Sequence, residues 1–345
     1  MPEPEILSRA GAARRSTALP DARAARRYRL VVGVLSGLAL LVAFGLLAWD
    51  NPMPIGSTGF WRIAELRATS VAVIVVVAFC QAVATVSFQT VTANRILTPS
   101  IMGFESLYRL VQTGAVFAFG IAGVTVVRGV GQFLAQVALM VGFAALLYGA
   151  LLTGRRANLH VMLLIGIILG GGLGALATFL QRLLTPTEFD VLTARLIGSV
   201  ANAEADYLPV AVPLAVVAGG LLWLRSARLN VLGLGRETAV NLGLHQRRET
   251  IVVLLLVSVL MAVSTALVGP MTFFGFLVAM IAYQLADTFD HRLLFPVAWL
   301  TGVVVLGGAY FLLRNVFYAQ GAVGVIIEVV GGSFFLVHLL RKGRL

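Results

Sequence analysis

Three ionisable side chains stand inside apolar runs: Glu105 and Arg109 in the stretch FESLYRL, and Glu328 in VGVIIEVVGG. Charges within a membrane-spanning helix cost several kcal/mol, so they face a bundle interior or a water-filled route. Glu105 and Arg109 are four residues apart, which puts both on one helix face where they can pair. Counted from Pro99 at ~1.5 Å per residue, they lie about 9 and 15 Å along the helix, too deep for interfacial snorkelling. Two readings follow from the residues alone. The pair locks helices together, or it lines a transport route. As a self-neutralising ion pair, it also predicts that replacing Glu105 alone, which strands a buried Arg109, is worse than replacing both residues with apolar ones.

The rest of the chemical inventory is sparse. His160, His245, His291 and His338 are scattered near predicted helix ends, without the spacing of a metal motif. Cys80 is the only cysteine and sits in an apolar run, which predicts a buried inert thiol and no disulfide or metal cluster. No convergent set of His, Asp or Cys occurs in the spans, so a membrane-embedded enzyme is disfavoured, and neither a metal nor another cofactor is expected. A P-loop needs a lysine in its glycine-rich turn. The only lysine is Lys342, near the C-terminus, so any ATP-driven work must come from another subunit. A secondary transporter that used Glu105, Arg109 and Glu328 as an ion relay would be the rival that needs no ATPase.

The elements that must position these residues are membrane helices. The 345 residues are 59% apolar and 12% charged, against roughly 25% charged in soluble domains. Apolar runs near the ~20 residues needed to cross a bilayer recur along the chain. They predict an all-α polytopic protein with ten spans, at 30–49, 69–89, 101–120, 130–152, 158–182, 207–224, 250–268, 270–286, 293–313 and 324–340. The net charge of +11 is distributed as a membrane topology, not as a nucleic-acid groove. With the N-terminus inside, 19 basic residues fall in cytoplasmic segments, including Arg9, Arg14, Arg15, Arg95, Arg155, Arg156, Arg225, Arg228, Arg292 and Arg344. Six fall outside: Arg62, Arg67, Arg128, Arg182, Arg195 and Arg314. Both termini are therefore expected in the cytoplasm. Residues 1–28, rich in Arg and Ala, read as a disordered tail ahead of a transmembrane domain over 29–345.

Two loops exceed simple turns. The outer one, TPTEFDVLTARLIGSVANAEADY, spaces Val191, Leu192, Leu196 and Ile197 as a short surface helix would. The inner one, about 226–249, holds a short helix over Glu237–Gly243 stopped by glycine, suited to docking a partner or simply to connecting two spans. In the fifth predicted span Gly166, Gly170 and Gly174 recur every four residues. That spacing permits close helix packing, and it also leaves a wall without bulk along a passage.

These stretches together resemble the permease subunits of iron-siderophore and vitamin B12 ABC importers, the FecCD family, over about residues 30–345. The inner loop LGLGRETAVNLGL resembles the family's cytoplasmic Gly-Glu-Glu-x-Ala-x-x-Leu-Gly pattern. Glu237, Ala239, Leu242 and Gly243 match it, and Arg236 replaces the first acidic residue. In the later Gly-x-x-x-Pro-His-x-x-Arg pattern Gly275 matches, whereas Ala279, Met280 and Tyr283 occupy the Pro, His and Arg positions. TANRILTPSIMGFESLYRLVQT is similar to a branch that carries siderophores, often of catecholate type.

The resemblance implies a type II ABC importer permease that moves a ferric siderophore across a bacterial cytoplasmic membrane by alternating access, with cobalamin or haem as the runner-up cargo. Its implied partners are a second permease (a sister chain ahead of an identical copy), two cytoplasmic ATPase subunits, an extracytoplasmic siderophore-binding protein and membrane lipid, with no nucleic acid. Arg236, Glu237, Ala239, Leu242 and Gly243 would dock the ATPase. Arg67, Arg314 and, less directly, Arg62 would meet acidic residues of the binding protein. Gly166, Gly170, Gly174 and Glu328 would line the path, and the pair Glu105–Arg109 would support its wall.

Overall fold

A computed structural model describes residues 18–19, 21–54, 56–126, 129–152, 159–318 and 321–342. Arg9, Arg14, Arg15, Arg128, Arg155, Arg156 and Arg344, together with most of the expected N-terminal tail, lie outside the described residues. The helices in chain order are α1 (Ala22–Ala48), α2 (Thr58–Thr92), α3 (Phe104–Val126), α4 (Val130–Leu152), α5 (Leu159–Gln181), α6 (Pro186–Leu196) and α7 (Leu208–Leu224). They continue with α8 (Ser226–Leu232), α9 (Arg236–Asn241), α10 (Gln246–Val268), α11 (Phe274–Ala286), α12 (His291–Asn315) and α13 (Val323–Lys342). No strand occurs among the described residues.

Each of the ten expected spans coincides with a helix: α1 to α5, α7 and α10 to α13. Seven of them are long and apolar enough to cross a membrane by length and composition. The other three carry the irregular features. Helix α3 holds Glu105 and Arg109 and is broken at Gly120 (φ 61°, ψ −153°). Helix α11 has only 13 residues, and α13 is apolar over Val323–Val337.

The boundaries differ where hydropathy and helix propensity diverge. Helix α1 begins at Ala22, inside the stretch read as a tail, because ARAARR is polar yet made of strong helix formers. Helix α2 starts at Thr58, eleven residues before its apolar run, where the Ser57 hydroxyl accepts from the Phe60 N–H at 3.1 Å. Its 35 residues make a rod of about 52 Å, well beyond the ~30 Å hydrocarbon core.

Helix α2 is the axis of the molecule. Almost every residue from Val73 to Thr92 is buried, and α1, α7, α10, α11 and α12 pack around it. Because lipid is as apolar as leucine, these contacts depend on close fit and internal polar bonds. Gln81 donates to Ser264 Oγ at 3.1 Å, and the Trp299 indole donates to the Val75 carbonyl at 3.0 Å. Gly275 of α11 lies so close to Thr85 of α2 that a Cβ there would meet Oγ1 at 2.2 Å. Cys80 is fully buried on this axis, as expected of an inert thiol.

Helix α6 lies apart from that core. Thr185 and Glu188 form a reciprocal capping box at its start, and only Leu192 is buried, against Val116 of α3. Ile197, expected within this helix, is instead its extended C-terminal cap. Between α6 and the main bundle lies a cavity of about 520 Å³ whose lining includes Gln112, Gln136, Arg195 and Tyr207.

Candidate functional site

The loop expected to couple to an ATPase is a helix–turn–helix formed by α8 and α9. The turn between them needs Gly235, which has φ +95°. Helix α9 ends on Gly243 at φ +78°, with its N–H donating to the Val240 carbonyl and the Leu244 N–H donating to the Ala239 carbonyl. That double bond pattern is a Schellman cap, which favours glycine at this position. Ala239 is fully buried and anchors α9 to the body. Arg236, Glu237, Leu242 and Gly243 are exposed, with Leu234, Val240 and Leu242 forming an apolar patch on the same loop. The five residues expected to act together thus divide into one anchor and four that face outward.

Residues that the sequence reading did not single out tie this loop to the bundle. Glu249 at the start of α10 pairs with Arg225 and with Arg228, the latter at 2.6 Å. Asn230 of α8 accepts from the backbone N–H of His291 at 3.0 Å, lies 2.6 Å from His291 Nδ1, and donates to Asp290 at 3.0 Å. His291 Nε2 lies 2.7 Å from the Thr90 hydroxyl of α2. One buried histidine therefore joins the coupling loop, the head of α12 and the central helix. Its spacing from other histidines carried no hint of this, since its partners are Asn230 and Thr90. Beside it, the Arg95 guanidinium covers the Tyr283 ring at 4.6 Å. Tyr283 holds the family's arginine position, so Arg95 supplies a cation there from another segment.

The three arginines expected to meet a binding protein are not alike. Arg62 is exposed on the first turns of α2. Arg67 donates to the carbonyls of Leu47, Trp49 and Asp50 at 3.4, 2.7 and 3.0 Å, closing the C-terminus of α1. A guanidinium at a helix C-terminus satisfies orphan acceptors and complements their partial negative charge. Arg67 is thus a structural clasp, with Arg314 of α12 within electrostatic range.

Within the membrane the structure corrects two expectations. Glu105 and Arg109 do not pair: among the described residues no ion pair within 4.0 Å joins them. Glu105 is buried and accepts from the Thr272 hydroxyl at 2.7 Å, in the break between α10 and α11, while Arg109 is exposed. The hydroxyl is available because α10 ends at Val268 and α11 starts only at Phe274. Hydropathy had merged that break into the eighth span.

The second correction concerns the glycine stripe. Gly170 packs directly on Gly103, where a Cβ would meet backbone at 2.9 Å, and Gly166 packs on Met102. Gly174 faces Ser106 at ordinary contact distance. The faces of Gly166 and Gly170 are therefore covered by the chain itself and form the seam between α5 and the turn that leads into α3. Gly171 and Gly172 are the ones with open space beside them. Glu328 is exposed on α13.

A helical bundle of this topology, interrupted between α10 and α11 and carrying a helix–turn–helix between α7 and α10, has the fold of an ABC-importer permease. The chain belongs to the FecCD transport family, whose profile matches residues 31–341. It is a transport subunit, and ATP hydrolysis resides in a separate chain. It is 46% identical over 332 residues to the petrobactin import system permease protein FatC of Bacillus anthracis, covering 96% of this chain and 94% of that one. It is 35% identical to the petrobactin import system permease protein YclO of Bacillus subtilis, covering 92% of this chain and 99% of that one. The ferric enterobactin permease FepD of Escherichia coli is 29% identical over 74% of this chain and 75% of its own length. The fold also matches a solved inward-facing ABC transporter assigned to the metal-chelate type, with TM-score 0.76 and 22% identity over 91% of this chain and 99% of that one.

Proposed function

We propose that this chain is the permease of a ferric-siderophore importer, with petrobactin the foremost cargo. The observation that carries the proposal is the full-length similarity to two petrobactin permeases, one of them at 46% identity. In this reading the chain lies in a bacterial cytoplasmic membrane with both termini inside, beside a second permease that is a sister chain. A loaded binding protein docks outside near Arg62, Arg67 and Arg314. Arg67 contributes there mainly by fixing the α1–α2 corner, because both of its terminal nitrogens are already engaged by backbone carbonyls. Two ATPase subunits grip the exposed face of α9 and the apolar patch of Leu234, Val240 and Leu242. Their motion reaches α2 and α12 through Asn230 and His291, and the paired permeases alternate between outward- and inward-open states. The permease itself makes and breaks no covalent bond.

The test is uptake of iron-55 petrobactin by iron-starved cells, with and without a deletion of this chain. Loss of uptake on deletion and its return on complementation are expected. Unchanged petrobactin uptake together with loss of haem or cobalamin uptake would replace the cargo, and uptake that survives ATP depletion would remove the ABC mechanism.

A further inference from the structure

Arg109 is an exposed cation on a membrane helix whose neighbouring positions are buried. On the same face of α3, Glu105, Gln112, Thr113 and Val116 are all buried, yet Arg109 among them is exposed. One turn below, Ser106 rests against Gly174 of α5, and one turn above, Gln181 of α5 donates to the Thr113 hydroxyl at 3.1 Å. On the other flank Glu105 reaches the Thr272 hydroxyl at the α10–α11 break. Arg109 therefore stands, exposed, between the contact with α5 and that break. A guanidinium in hydrocarbon is costly, so a charged side chain at this place points to an aqueous route or a polar partner rather than to lipid.

Its charge also stays uncompensated. Glu105 is bonded to Thr272, and among the described residues no ion pair joins Arg109 to Glu105 or to Glu328. Arg109 and the exposed Glu328 of α13 both lie within electrostatic range of Glu105.

We propose that Arg109 is a substrate-contacting residue of the translocation path, meeting the anionic oxygens of a ferric siderophore as it passes α3. This inference rests on the ferric-siderophore reading. An arginine fork offers several donors to oxyanions while keeping its charge. Left unpaired by Glu105, it provides one weak positive contact, enough to favour passage of an anionic complex without trapping it.

Two measurements on the assembled transporter test this, with both permeases, ATPase and binding protein in liposomes. The first is independent of cargo. Arg109→Cys should react with a positively charged, water-soluble thiosulfonate in at least one nucleotide state, whereas the buried Cys80 of the parent protein should not. Failure to label in every nucleotide state overturns the proposal, since Arg109 would then be sealed at an interface. The second is uptake of ferric petrobactin at saturating binding protein. Arg109→Gln should lower it at least tenfold, Arg109→Glu should abolish it and Arg109→Lys should recover a third or more. ATPase stimulation and complex assembly should remain within twofold of the parent. Parental uptake in Arg109→Gln and Arg109→Glu, or losses of uptake matched by losses of assembly, would overturn it. If the parent complex carries no ferric petrobactin while Arg109→Cys is labelled, the cargo reading fails and the placement of Arg109 stands.

Discussion

Two buried glutamates satisfy their carboxylates in opposite ways. Glu249, at the cytoplasmic edge, is held by two arginines, one of them half exposed. Glu105, deep in the bundle, has a single threonine hydroxyl on one oxygen, and its Oε1 has no hydrogen-bond partner. The contrast follows from where water is. At the edge, arginines keep part of their hydration while pairing, so a three-member network forms at low cost. In the interior each added charge carries its own desolvation cost, and a hydroxyl is the cheaper partner. The interior acid thus takes a hydroxyl, and Arg109, one turn along α3, is left exposed.

Predictions can break or sharpen that contrast. The largest effect belongs to Glu249→Gln, which leaves Arg225 and Arg228 without their shared acceptor. We expect a loss of about 2 kcal/mol, below the ~3–5 kcal/mol of a fully buried pair because Arg228 is solvated. It should show as a lower unfolding midpoint of the detergent-purified complex and as ATPase activity uncoupled from uptake. A variant with unchanged midpoint and coupling would show that the network is ornamental.

Glu105→Leu comes next, at about 1–2 kcal/mol, the cost of stranding the Thr272 hydroxyl; Glu105→Gln should cost less, because its amide oxygen still accepts. The sharper measurement is the cycle with Arg109→Leu. A true ion pair would make the double variant better than Glu105→Leu alone. The observed geometry predicts instead that the two effects on the unfolding midpoint add to within ~0.5 kcal/mol. Rescue by the second change would restore the paired reading.

Gly243→Ala is smaller in stability, about 1 kcal/mol, since open space surrounds the site and only the left-handed backbone is strained. Its effect should appear in uptake per ATP hydrolysed, with assembly intact. The smallest effect is at Glu188, whose carboxyl is held below the usual carboxylate range by the Thr185 backbone N–H and hydroxyl. The cap's contribution is complete above the ordinary glutamate value and is lost as pH falls through the lowered one. Hydrogen exchange at the Glu188 and Phe189 amides should therefore quicken only in that acidic window. Equal protection on both sides of it would refute the cap.

Much of the architecture was legible because hydropathy and glycine spacing report it directly. A helix coincides with each of the ten expected spans, seven of them long and apolar enough to cross a membrane, and the short helix α6 and the loop ending at Gly243 appear where apolar periodicity and stop signals put them. What stayed hidden depended on direction. A four-residue spacing shows that Glu105 and Arg109 can meet, but the choice of Thr272 depends on the length of the break between α10 and α11, for which hydropathy left only residue 269 whereas the structure opens it from 269 to 273. The same spacing rule cannot say whether Gly170 faces a passage or Gly103. Arg67 looked like a free surface charge because its acceptors are backbone carbonyls of another helix, which no side-chain pattern records.

The short α11 has a further consequence. Thirteen residues reach only about 20 Å, so one end of this helix lies inside the protein rather than at a membrane surface. The Phe274 N–H is taken by the Met271 carbonyl, so the amides that its first turn leaves free start beyond it, and together they carry the positive end of a peptide dipole. The break that offers the Thr272 hydroxyl to Glu105 is therefore also the approach to a helix end that carries its own fixed backbone field.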